Sequence, residues 1–266
     1  MHRVLTVLSC LAILGCSGET VSVTQVAGTA VDPPVINENF GGPPPFPYSN
    51  WWNLSIEFAP VDPASEAIIT WIGVSKTAHP DCGPPPYGIP YVGVSGDQPL
   101  VPVTFVWYPA ESDVGAPGNP PGYPAPEEAK TQPNYIEGAV PGGGTSGDRH
   151  LILVDRDNGW LYELYATYWN PSLARWEAGS GAVFNLNTND RRPEGWTSAD
   201  AAGLAIYPGL LKYDEVYGPD EILHALRCTV RATNGHVWPA SHTAGSNPSA
   251  PRMGARFRPK ASVDVS

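Results

Sequence analysis

The chain has 266 residues, of which 42% are hydrophobic and 10% aromatic, with a formal net charge of −11. That is enough apolar material for one sizeable core, and an acidic chain without a basic stripe excludes a nucleic-acid partner. The 31 Pro and 28 Gly exclude long uninterrupted helices, while nine Trp and twelve Tyr argue against a disordered chain.

In chain order, His2 and Arg3 precede the apolar run from Val4 to Leu14. This run is too short to span a bilayer and has the form of a signal-peptide core. Ile13-Leu14-Gly15-Cys16 resembles the bacterial lipobox, in which the Cys is diacylated and becomes the first residue. The alternative is a plain secretory signal that happens to contain a Cys. Residues 1–16 are therefore predicted to be a lipoprotein signal peptide, with Cys16 as the lipidation site. Nothing later in the sequence is apolar enough to cross a membrane, so the lipid would be the membrane's only hold on the protein. The expected location is the cell envelope, at the outer membrane or cell surface.

Residues 17–50 hold six Pro, the Gly41-Gly42 pair and no Lys or Arg, a composition that predicts a linker. The folded domain is then expected over 51–266. Its strand-like pieces are SIEFAP (55–60), EAIITWIGV (66–74), PYVGVSG (90–96), LVPVTFVWYP (100–109) and HLILVDRD (150–157), followed by LYELYATYWN (161–170), GAVFNL (181–186), ILHALRCTVR (222–231) and MGARFRP (253–259). Asp157-Asn158-Gly159 between two of them predicts a hairpin. Many short strands with turn chemistry between them predict an all-β, single-domain β-sandwich or jelly roll. Long Pro/Gly-rich loops interrupt it at 109–147 and 187–221, the second with a short helix capped by Thr197 or Ser198. The basic tail Arg252, Arg256, Arg258 and Lys260 has the alternation of a solvated edge strand.

Chemistry is concentrated in three places. Asp148 and His150 share a face if their segment is extended, and a carboxylate beside an imidazole suits a general base. The pair equally suits a strand-end salt bridge, or two ligands of a metal whose further donors would be His79, His236 or His242. Glu163 alternates with Leu161, Tyr165, Thr167 and Trp169, while Tyr162, Leu164, Ala166 and Tyr168 form the other face. A carboxylate between aromatics describes either a sugar-binding cleft or an ordinary strand whose charge pairs with Arg227. A glycosidase needs a second carboxylate about 5–9 Å away, for which Asp148, Asp155 and Asp214 are candidates. His224 alternates with Ile222, Leu226, Cys228 and Val230, which favours a core histidine.

The mature chain keeps only Cys82 and Cys228, and in an oxidising compartment these predict a disulfide rather than two lone thiols. No P-loop, GxSxG elbow, HExxH or CxxC is present, and no cofactor or metal is expected.

The stretches VDPASEAII, HPDCG, YGIPYVGV, GDRHLILVDRDNGWLYELYATYW, GSGAVFNLNTNDRRPEGWTSADAAGLAIYPGLLKYDEV, ILHALRCTV and MGARFRPKAS resemble a family of secreted bacterial proteins. The resemblance covers roughly 55–266 and implies no activity or catalytic residue. Similar proteins tend to have Phe where Cys82 and Cys228 stand, which implies that the two cysteines changed together and supports a bond between them. Similar proteins also continue past MGARFRPKAS, which implies a truncated or early C-terminus here.

The resulting expectation is a lipid-anchored carbohydrate-active protein, a hydrolase or lyase acting on an extracellular polysaccharide. Asp148, His150, Glu163 and Asp214 would be its acid/base groups. Tyr165, Trp169 and Trp196 would stack on sugars, and Arg227 would bind a polar or acidic group. Its rivals are a non-catalytic glycan-binding lipoprotein and a structural envelope protein.

Overall fold

The computed structural model describes residues 31–41, 44–77, 81–114, 118–219 and 221–260. The signal peptide, Cys16 and His79 lie outside the described residues. Contacts divide the chain into Met1–Ala30 and Val31–Ser266, and everything below concerns the second unit.

In chain order the strands are β1 (Val35–Ile36), β2 (Tyr91–Val94), β3 (Val103–Phe105), β4 (Leu151–Asp155), β5 (Trp160–Tyr165), β6 (Tyr168–Asn170), β7 (Arg175–Ala178) and β8 (Ser180–Asn185). Among the described residues are three short α-helices: α1 (Ser65–Ile72) between β1 and β2, α2 (Glu128–Thr131) between β3 and β4, and α3 (Tyr213–Tyr217) after β8. The strands make two mixed sheets, one ordered β1-β2-β4-β5-β8 and the other β3-β7-β6. Pairing is parallel between β2 and β4 and between β3 and β7, and antiparallel elsewhere.

Both faces of the large sheet are covered. On one, Val94, Leu153, Tyr162, Leu164 and Val183 share a core cluster with Phe105, Trp176 and Ala178 of the small sheet. On the other, Tyr91, Ile152, Val154, Leu161 and Phe184 pack against Phe46, Trp52, Ile206, Tyr207 and Leu210 from the loops. Double coverage explains why β4 reads as a continuous apolar run and is buried at every position.

The predicted hairpin is present: Asp155 pairs with Trp160, and 156–159 form the loop. Asp155 Oδ1 accepts the N–H groups of Asp157 (3.0 Å) and Asn158 (2.9 Å), and Gly159 supplies the left-handed residue at φ 70°. The run 161–170 is not one strand. Ala166 takes φ 53°, β5 ends at Tyr165, and Tyr168–Asn170 joins the other sheet. The faces expected for Leu161 to Leu164 hold, and the alternation is reset beyond Ala166. Gly143 lies against this break, where a Cβ would meet the Thr167 carbonyl oxygen at 2.1 Å.

Several expectations are corrected. EAIITWIGV carries α1, because Ile68, Trp71 and Ile72 recur with the spacing of one helix face and are its half-buried apolar residues. SIEFAP and ILHALRCTVR contain no strand, and MGARFRP contributes only the bridge from His236 to Met253. The 222–231 run instead lies along the loops, where Ala225 N–H donates to Trp52 O (2.7 Å) and Arg227 N–H to Gly209 O (2.9 Å). β7 is an addition that the sequence pattern did not suggest. No helix starts at Thr197 or Ser198; the Ser198 hydroxyl donates to Leu204 O (2.6 Å) instead. The tail arginines 256 and 258 donate to Leu54 O and Ile56 O rather than forming an edge strand. The linker also gives way earlier than Trp51. β1 pairs with β2, Phe46 is buried, and Asn53 holds the strap by donating to Phe46 O (3.1 Å) and Pro47 O (2.9 Å). Prolines that fix φ lower the entropy lost in ordering such a strap.

Candidate binding groove

Polar groups gather in two places, one sealed and one open. The sealed group lies under the 197–207 loop on the large sheet. Glu163 on β5 is 0% exposed, and both its carboxylate oxygens accept the Ile206 N–H at 2.8 Å. Oε1 also accepts the Tyr207 N–H at 2.8 Å. Burial pushes its pKa up to about 7, against the opposing N–H bonds of Tyr207 and Ile206.

His150 is buried beside it. Its Nδ1 faces Glu137 Oε2 (2.7 Å) and its Nε2 faces Ala199 O (3.1 Å). Burial acts to lower its pKa, but the hydrogen bond and charge of Glu137 override this, and the net direction is upward. With an oxygen acceptor at each ring nitrogen, the site favours imidazolium. Asp148, the expected partner, is exposed, because Arg149 at φ 51° breaks the extended run that would have placed both on one face.

Arg227 is likewise engaged elsewhere than expected. It pairs with Asp81 and, at 3.1 Å, with Asp200, not with Glu163. Thr229 Oγ1 also lies 3.0 Å from Asp81 Oδ2. Residues two apart thus reach the same carboxylate. Cys82 and Cys228 are free, exposed thiols, so the predicted disulfide is corrected.

The open group lines a groove of about 800 Å³. One wall is the 31–50 strap, with Phe40, Pro44, Pro45 and Tyr48; the other is α3 and the segment to His224. The floor comes from the β4–β5 hairpin and Tyr207. Glu215 organises the α3 side. Its Oε2 accepts the Lys212 N–H (2.9 Å), and its Oε1 accepts Lys212 Nζ (2.9 Å) and faces His224 Nε2 (2.9 Å). Burial would raise the Glu215 pKa, but His224 and Lys212 override it and hold the carboxyl at about 2. Arg156 on the floor is bound by Glu38 Oε2 (2.8 Å). Asp155 is tied to its own turn, with Oδ2 accepting Asn158 Nδ2 at 2.9 Å.

Of the predicted acid/base, stacking and Arg227 residues, Asp214 lines this groove, as does Asp155, a candidate for the second carboxylate. Tyr165 packs against Trp107 (centroids 5.6 Å) and His150 (5.6 Å). Trp169 meets Trp176 at 5.4 Å and carries Lys130 Nζ 3.9 Å from its ring centroid. Trp196 sits under Arg192 at 5.4 Å. The three rings therefore form no common platform. Among the described residues no group of three or more His, Cys, Asp or Glu could hold a metal ion, and no helix is long and apolar enough to cross a membrane.

Phe40, Tyr48, Tyr207 and Glu221 were missed. The signal available for the first two was aromatic residues inside a Pro/Gly-rich run, which a free tether has no reason to contain. No protein-family model, no curated protein and no solved structure matches this chain.

Proposed function

We propose that this chain is an exported, lipid-anchored envelope protein that binds an extracellular glycan in the groove, on a β-sandwich scaffold. The observation that carries the proposal is an open groove lined by the exposed rings of Phe40 and Tyr48 together with carboxylates, an amide side chain and the buried Tyr207. Aromatic faces beside polar groups suit the alternating apolar and hydroxylated surfaces of sugar rings. A core shared by residues of both sheets supports the sandwich reading. The lipobox-like Ile13-Leu14-Gly15-Cys16 supports anchoring.

Binding is favoured over cleavage by the state of the carboxyls. Glu163 has the near-neutral pKa that a general acid needs, yet it is sealed from solvent and bonded to backbone N–H groups. Glu215, which does reach the groove, is held ionised.

Affinity electrophoresis on a polysaccharide panel, with reducing ends and unsaturated products followed in parallel, tests the proposal. Wild type should be retarded by at least one glycan without releasing products, and Tyr48→Ala should lose most of the retardation. Product release abolished by Asp214→Asn would replace binding with catalysis. Neither retardation nor release on any glycan would remove the reading. Labelling by a fatty-acid analogue, lost in Cys16→Ala, checks the anchor.

A further inference from the structure

The groove's charges are unequally engaged. Four carboxylates line it, from Asp155, Asp214, Glu215 and Glu221, against the two cations Arg156 and Lys212. Both cations are already paired, Arg156 with Glu38 and Lys212 with Glu215. Asp155 and Glu215 are engaged as well. Asp214 and Glu221 remain, with no side-chain partner among the described residues. The groove therefore offers acceptors and negative charge, and it has no uncommitted cation with which to meet an acidic sugar. Arg227, the sequence's candidate for that task, is closed off by Asp81 and Asp200.

A second observation points to a ligand independently. Tyr207 is 2% exposed, and its ring is fixed edge-on against Tyr91 (4.9 Å between centroids) and Phe40 (6.3 Å). Tyr207 lines the groove, and its hydroxyl meets no protein partner among the described residues. A buried phenol normally has a hydrogen-bond partner. Burial, with Tyr91, Glu215 and Asp214 as further causes, pushes its pKa upward, so the hydroxyl keeps its proton and can donate as well as accept.

We propose that the groove takes an amine-bearing glycan, a hexosamine polymer whose amino groups are free and protonated. The proposal rests on the glycan-binding reading above and adds its charge class. An ammonium has three donors and no acceptor, and it complements the Asp214 and Glu221 carboxylates and the Tyr207 hydroxyl oxygen. An N-acetylated ring of the same polymer brings the same stacking surface without the charge. A uronate polymer would place like charges in the groove.

Calorimetric titration of the full chain with three oligosaccharides of equal length tests this: glucosamine, N-acetylglucosamine and galacturonate hexamers. Hexalysine serves as a control of equal charge. The free-amine hexamer should bind at least about tenfold tighter than its acetylated counterpart, the scale of one or two charge-assisted hydrogen bonds. In the Asp214→Asn, Glu221→Gln double variant the difference should fall to within about twofold, because those bonds are lost. Tyr207→Phe should weaken the free-amine hexamer while leaving the thermal midpoint near wild type. Equal or tighter binding of the acetylated or galacturonate hexamer would overturn the charge class and leave glycan binding standing. Hexalysine binding as tightly as the free-amine hexamer would overturn it too, by reducing the groove to an acidic patch. Failure of every glycan, with hexalysine also silent, would remove the glycan-binding reading on which it rests.

Discussion

The sealed site around Glu163 and the open groove around Asp214 contain the same kinds of residue, carboxylates and histidines beside aromatic rings. What separates them is which groups satisfy the lone pairs. Glu163 gives its oxygens to the Ile206 and Tyr207 N–H groups, and His150 faces an oxygen at each ring nitrogen. Those bonds fasten the 197–207 loop to the large sheet. In the groove, the Asp214 and Glu221 side chains and the Tyr207 hydroxyl have no partners among the described residues. A saturated polar cluster supports the fold, and an unsaturated one has capacity left for a ligand.

Stability measurements should break this comparison most readily. Glu163→Ala strands two buried N–H donors and should cost roughly 3–5 kcal/mol in urea denaturation. Asp214→Asn should cost less than about 0.5 kcal/mol. Comparable losses for the two would show that the sites do not differ as described.

Acid and base dependence sharpens the contrast. The Glu163 pKa is raised from 4.5 to about 7 in the folded chain. The unfolded chain therefore binds fewer protons between those values, and wild type should lose stability relative to Glu163→Gln as pH rises from about 4.5 to about 7. A flat difference between the two proteins across that window would show that Glu163 does not titrate there. Glu215 has the opposite sign. Its folded pKa of about 2 lies below the ordinary 4.5, so its stabilisation is present above 4.5 and fades as pH falls toward about 2. Glu215→Gln should flatten that acid limb, by about 1 kcal/mol for a partly exposed ion pair.

The smallest effect concerns the thiols. Cys82→Ser with Cys228→Ser should leave the thermal midpoint unchanged, and reducing agent should not shift wild type. A wild-type midpoint lowered by reductant would restore the predicted disulfide.

Local signals in the sequence were legible where one element answered to one neighbour. HLILVDRD and the Asp157-Asn158-Gly159 turn specified a buried strand and its hairpin, and the faces of Leu161 to Leu164 fell as alternation requires. Failure came where a tertiary partner decided the outcome. EAIITWIGV is rich in β-branched residues, yet its half-buried residues fall at helical spacing. ILHALRCTVR alternates like a strand, but the groups beside it are the loop carbonyls of Trp52 and Gly209, not a sheet edge. For the site, Asp214 was found. The strap aromatics were hidden by a composition that resembles a tether. Arg149 at φ 51° could not be foreseen from its neighbours.

The strap also bears on where the chain can be cut. A protein trimmed at Trp51, where the composition changes, would lose Phe40, Pro44 and Tyr48 from one wall of the groove, and Phe46 from the core beneath. It would also lose Glu38, leaving Arg156 without its carboxylate and the floor one negative charge poorer. Such a fragment would lack one wall and carry a guanidinium released from its carboxylate, so its ligand preference would not report that of the whole chain.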